Sequence, residues 1–229
     1  MNTLTSHRKR SLTAGILYLI TFVSIPTLAL YHSVKSTNYI TGSGPDTAAL
    51  IGGISEVIIA IAGIATAIVL YPMLKKQSES GALGLVAARI LESASIIVGV
   101  GFILTIVALR RDGSGAESLP VAHALATMYD RIFLLSQSFM PAICDLILGF
   151  LLYKSGLVPK ALCRIGIVGG LLLIISYLAV FFNIADQHGS IAVLALPVAI
   201  FEFSLGVYLI VKGFKPEAVA ALEAKKQLV

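Results

Sequence analysis

The chain has 229 residues, 57% of them hydrophobic and only 13% charged, with a mean hydropathy of +0.93. A water-soluble domain carries roughly a quarter charged residues, so this composition excludes an ordinary soluble globule and requires a bilayer as solvent. The formal net charge of +5 sits at the ends of apolar runs, which argues against a nucleic-acid-binding face.

Six apolar runs follow one another near residues 12–31, 48–71, 84–109, 131–153, 162–183 and 191–211. Each approaches the roughly 20 residues that a helix needs to cross about 30 Å of hydrocarbon. Strands would need only about 10 alternating residues, so a barrel is excluded. The predicted fold is therefore all-α: a polytopic membrane protein, a bundle of six transmembrane helices forming a single membrane domain over 1–229. The first run follows Arg8-Lys9-Arg10 in the manner of a signal peptide, but it lacks a small-x-small cleavage site and five further runs follow, so it is read as the first span.

Arg8, Lys9, Arg10, Lys75, Lys76, Lys154, Lys160, Arg164, Lys212, Lys215, Lys225 and Lys226 flank alternate helix ends, whereas the opposite ends hold only Lys35, Arg110, Arg111 and Arg131. The positive-inside rule then predicts cytoplasmic N- and C-termini and outer loops near 32–47, 110–130 and 184–190. Within the second loop, Pro120 opens an apolar stretch and predicts a short helix on the outer face. In the tail, 213–229, early acids and late lysines predict a cytoplasmic surface helix from Pro216.

The residues that hydropathy does not explain are Glu56, Arg89, Glu92, Asp145, Arg164 and Glu202, each inside or at the start of a predicted span. An ionised group near mid-bilayer costs at least about 2.5 kcal/mol and needs a partner, a proton or water. Glu56 shares a stripe with Gly52, Ala60, Gly63 and Ala67, Asp145 with Ser138, Pro141 and Gly149, and Glu202 with Ala195, Ala199 and Gly206. Small residues let helices approach closely, so these acids are expected to face protein. Arg89 and Glu92 lie three residues apart and can pair. Together the six form an expected proton- or cation-binding cluster of four carboxyls and two guanidinium groups, whose surplus is neutralised by protons or a bound cation. Equally, buried ion pairs can serve only to specify helix packing.

His32, His123 and His188 fall one to each outer loop, but no two show ligand spacing with the neighbouring acids, so no metal site is assigned. Cys144 and Cys163 have neither disulfide nor zinc spacing and are read as small apolar residues. Metalloprotease, serine-hydrolase, nucleotide-binding and dinucleotide motifs are absent, so neither catalytic residues nor a cofactor are assigned.

The start Arg10-Ser-Leu-Thr-Ala-Gly-Ile-Leu-Tyr-Leu-Ile, the segment Ala87-Ala-Arg-Ile-Leu-Glu92, the stretch Tyr153-Lys-Ser-Gly-Leu-Val-Pro-Lys160 and the ending from Pro197 through Glu202 to Lys212-Gly-Phe resemble the bacterial domain-of-unknown-function 4386 family. The resemblance covers nearly the whole chain and is most specific in the Tyr-Lys-Ser-Gly-Leu-Val-Pro stretch. It implies a bacterial six-helix membrane protein and carries no activity or catalytic residues; the expected location is the bacterial cytoplasmic membrane.

The expected function is thus a small transporter-like or permeation-associated protein acting on an unknown small ion or molecule, with the bilayer, a second copy or a partner membrane subunit as its surroundings. Two alternatives stand: a membrane-embedded enzyme acting on lipid, and a structural or sensory scaffold whose buried ion pairs are architectural.

Overall fold

The computed structural model describes residues 2–24, 27–42, 45–186 and 189–227, and all regular structure among them is helical. In chain order the α-helices are α1 (Asn2–Thr21), α2 (Thr27–Leu30), α3 (Thr47–Leu74), α4 (Glu79–Arg111), α5 (Leu119–Leu134), α6 (Met140–Ser155), α7 (Lys160–Phe181), α8 (Leu196–Val211) and α9 (Pro216–Gln227). A π turn, Leu135–Phe139, joins α5 to α6 without a break, and a 3-10 turn, Ser190–Ala195, leads into α8.

Among the described residues, five helical stretches are long and apolar enough to cross a membrane: Thr47–Leu74, Glu79–Arg111, Gly115–Ser155, Lys160–Phe181 and Ser190–Val211. Large apolar side chains crowd their outer surfaces, including Ile54 and Ile61 at 63% exposure, while Glu56 (1%), Arg89 (3%) and Asp145 (0%) are turned inward. Water would favour the opposite arrangement; lipid favours this one, and the chain is a helical, multi-pass membrane protein.

Two sequence expectations need correction. The first run, 12–31, is not one helix: α1 begins at Asn2, ends at Thr21, and passes through a 3-10 turn, Phe22–Ser24, toward the four-residue α2. The sequence has Pro26 between these pieces, and a proline supplies no amide to an uninterrupted helical ladder. The outer loop expected at 110–130 is mostly helix instead, because α5 starts at Leu119 with Pro120 in its first turn and runs through the π turn into α6. Pro120 does open a helix, but one continuous with the span rather than separate from it. The tail helix expected from Pro216 is α9.

The helices close into a ring. α1 packs on α3 and α8, α3 on α4, α4 on α6, α6 on α7, and α7 on α8. At one end of this ring the chain doubles back tightly. Gly156, with φ +68°, ends α6 in the left-handed region, and its amide bonds to the Leu152 carbonyl. Leu157 and Val158 are then fully buried, and the Leu157 carbonyl accepts from the amide of Lys215 ahead of α9. α9 lays Ala218, Val219 and Leu222 against this elbow, and Glu223 reaches His7 Nε2 at 2.9 Å and Lys76 Nζ at 3.2 Å. The start of α1 and α9 therefore meet at the same end of the ring.

Candidate functional site

The centre of the ring is polar because α4 places Arg89 and Glu92 one turn apart on its inward face, between α6 and α8. Arg89 Nη1 donates to both oxygens of Glu92, at 3.0 and 3.1 Å, and Nη2 donates to Glu202 Oε1 on α8 at 2.9 Å. Asp145 of α6 approaches the same Nη2, with Oδ1 at 4.0 Å, beyond hydrogen-bond reach. Three carboxyls from three helices thus converge on one guanidinium.

Space for this cluster comes from small residues. Gly63 on α3 faces it, and a Cβ there would lie 4.0 Å from Arg89 Cδ and 3.6 Å from Ser93 Oγ. Ser93 in turn donates to the Ala60 carbonyl at 2.8 Å, which fixes α4 against α3. Tyr18 of α1, 1% exposed, borders the cluster, with its ring centroid 5.9 Å from the Arg89 guanidinium carbon. Cys144 donates its thiol to Glu92 Oε2 at 3.3 Å, so it is a polar partner as well as a small apolar filler.

Asp145 stands apart in one respect. It is fully buried, and neither carboxyl oxygen has a hydrogen-bond partner; Arg89 Nε is likewise without one. A buried polar group left unpaired costs about 1–3 kcal/mol, and more if it is charged. Such a group calls for a proton, a water or a ligand.

Beside the cluster lies a cavity of about 210 Å³, lined by Arg89, Glu92 and Glu202 and by Gln137, Gly63, Pro141, Thr21, Phe22, Ala195 and Ala199, among others. Thr21 and Phe22 mark the far end of α1 and Ala195 the start of α8, so the cavity extends from the guanidinium toward the ring end opposite the two termini.

Glu56 forms a separate centre. Tyr129 donates to its Oε1 at 2.7 Å, Gln137 Nε2 to the same oxygen at 2.9 Å, and Tyr31 to Oε2 at 3.1 Å. The two tyrosine rings meet edge to face at 5.2 Å, and Lys35 sits 4.7 Å above the Tyr129 ring while pairing with Asp130. Every oxygen of Glu56 is partnered, unlike those of Asp145. Gln137 belongs to both places, because it bonds Glu56 and also lines the cavity at Arg89. It sits on the π turn, an irregularity that often re-aims a side chain at functional positions.

The six residues singled out from the sequence thus divide. Arg89, Glu92, Asp145 and Glu202 come together; Glu56 is linked to them only through Gln137 and the cavity. Arg164 is not part of the cluster: it is exposed at the start of α7, with its guanidinium carbon 6.0 Å from the centroid of Tyr153. The expected balance of four carboxyls and two guanidinium groups becomes three and one around Arg89. Tyr18, Tyr31, Tyr129 and Gln137 carry no signal in the sequence pattern, and Cys144 reads there only as a small apolar residue. Tyr31 and Tyr129 border segments expected as outer loops, and Gln137 is an uncharged amide in an apolar run.

Among the described residues no three His, Cys, Asp or Glu side chains gather as a metal ion would require. His32 and His123 lie at the end opposite the termini, and His188 is outside the described residues.

No curated protein and no solved structure matches the chain. A family model does: Domain of unknown function (DUF4386), over residues 13–213, which is most of the sequence, and the chain belongs to that family.

Proposed function

We propose that this protein is a small transporter-like or permeation-associated membrane protein that uses the Arg89 cluster as a proton or cation site. The observation that carries the reading is the charge balance: Glu92, Asp145 and Glu202 surround one guanidinium, and Asp145 has no hydrogen-bond donor. An interior of low dielectric does not hold two uncompensated negative charges, so protons or a cation complete the site. In this reading the cavity beside Arg89 is the way from the site toward one end of the ring, and Gln137, which lines it, also bonds Glu56. A dry, fully paired core would favour the scaffold reading instead, and Asp145 is not paired in that way.

In this reading α1, despite its basic first half, is the sixth span beside the five long apolar stretches. The concentration of lysine and arginine at the end of the ring holding both termini favours a cytoplasmic N- and C-terminus in a bacterial inner membrane, with the cavity opening outward. At 24.1 kDa the chain is small for a complete carrier, which favours a second copy or a partner membrane subunit.

The test is reconstitution in liposomes containing a pH-sensitive dye, comparing the wild type with Glu92→Gln and Glu56→Gln. The wild type is expected to dissipate an imposed proton or cation gradient faster than protein-free vesicles, and both variants to be slower. Flux at the protein-free level in all three would remove the transport reading.

A further inference from the structure

The α6–α7 elbow carries three cations that the Arg89 cluster does not use. Lys154 Nζ lies 5.4 Å from the centroid of Phe150, and Lys160 Nζ lies 5.3 Å from that of Tyr153, which Arg164 also borders. All three are exposed, and among the described residues none lies within ion-pair distance of a carboxylate. By contrast, Arg110 and Arg111 at the other end of the ring both pair with Asp46.

Between α6, α7 and the start of α4 is a cavity of about 520 Å³, and of the three cations Lys154 lines it, while Lys160 and Arg164 lie outside its lining on the neighbouring Tyr153. The polar end of the cavity holds Lys154, Ser78 and Ser80; its walls are Leu146, Ile147, Phe150 and Ile167. Leu146 and Lys154 are eight residues apart on one helix, so the groove changes from cationic to apolar over about 12 Å. Phe150, 55% exposed, forms part of the lipid-facing rim. Glu79, next to Ser78 in sequence, is not among the lining residues.

We propose that this groove is a binding site for one anionic phospholipid, its headgroup phosphate held at the cationic end by Lys154, with Lys160 and Arg164 on the adjacent elbow adding positive charge, and an acyl chain lying along Leu146, Ile147 and Ile167. The segregation of charge and apolar wall along the membrane normal matches a lipid, not a soluble anion, which has no use for the apolar half. Three cations without acidic partners match an anionic headgroup; a zwitterionic one brings its own cation. Basic pockets between helices at the cytoplasmic surface are suited to such headgroups. The choice of leaflet rests on the topology proposed above, but the site itself is independent of whether the protein transports anything.

The experiment is native mass spectrometry of the full chain from micelles holding phosphatidylglycerol and phosphatidylcholine in equal amounts. Each surface cation is worth about a fivefold preference for an anionic lipid. The wild type is therefore expected to retain phosphatidylglycerol at least about fivefold over phosphatidylcholine, and Lys154→Gln/Lys160→Gln/Arg164→Gln to lose that preference. Lys154→Gln alone, at an exposed helix end, gives a smaller loss in the same direction should the triple variant fold poorly. The charge-matched variant Lys9→Gln/Arg10→Gln/Lys212→Gln is expected to keep the preference, and Ile147→Trp, which fills the groove, to retain less lipid. Equal retention of the two lipids by the wild type would overturn the site. So would an equal loss in the charge-matched variant, unchanged retention in Ile147→Trp, or displacement of the lipid by inorganic phosphate.

Discussion

Arg89 is the one residue on which three carboxyls depend. Replacing it by Gln leaves Glu92, Asp145 and Glu202 together without a cation, and breaking a buried pair from one side costs about 3–5 kcal/mol. Asp145→Asn does the reverse. It removes the carboxyl that has no donor, so its cost is expected to stay under about 1 kcal/mol. Thermal melting of the purified protein compares the two, and comparable destabilisation would mean that Asp145 is a paired, structural acid. Outside the membrane-spanning segments, burial pushes the Asp46 carboxyl up, but hydrogen bonds from Tyr39 and Arg111 and the charges of Arg110 and Arg111 outweigh it and hold it below its ordinary value of 3.8. Its contribution is thus present above pH 3.8 and lost as pH falls through the lower folded value. The melting-temperature gap between wild type and Asp46→Asn is expected to be steady at higher pH and to close in strong acid; a gap independent of pH would contradict that sign. At this scale the charged residues were legible because lipid makes each one conspicuous. Their partners were not, since a tyrosine near a helix end or a single glutamine is unremarkable until the helices are assembled. Arg164 differs from its expected place for the same reason: one residue's distance from a helix end does not say whether it turns inward or out, and Arg164 is exposed.

The elements are held at short range by glycine. A Cβ on Gly15 of α1 would lie 2.6 Å from the Gly206 carbonyl oxygen, and one on Gly169 of α7 would lie 2.9 Å from the Val198 amide nitrogen. Both obstacles are backbone atoms of α8, so an alanine at either position forces helices apart instead of rotating a side chain. Gly15→Ala and Gly169→Ala are each expected to destabilise by about 1–3 kcal/mol, whereas Gly84→Ala, where a Cβ meets nothing within 4 Å, is expected to be neutral. Melting temperatures that failed to separate these two classes would argue against the tight α8 packing that carries Glu202 to Arg89. Four spans were readable with boundaries close to those of α3, α4, α7 and the helix ending at Val211, because long apolar runs leave little choice. The interruption after Thr21 and the extension from Leu119 were harder. An apolar run continues across both sides of a broken helix, and an amphipathic stretch reads like a surface loop until a bundle offers it a partner. A π turn has no signature in hydropathy at all.

Across the whole molecule, the exposed surface is apolar and the centre holds the charge, an arrangement stable only where lipid is the solvent and the centre is electrically balanced. The helical class and the inward direction of the acids could be read from composition and spacing. That the charges divide into an Arg89 centre and a Glu56 centre joined by Gln137 could not, since it depends on which helices become neighbours in the ring. Infrared spectroscopy of the protein in lipid at neutral pH, in a buffer whose only cation is a bulky organic one, tests the excess of acid over base most directly. The account predicts a protonated-carboxyl stretch in the wild type that weakens in Asp145→Asn and Glu202→Gln. A wild-type spectrum with only ionised carboxylates would contradict it.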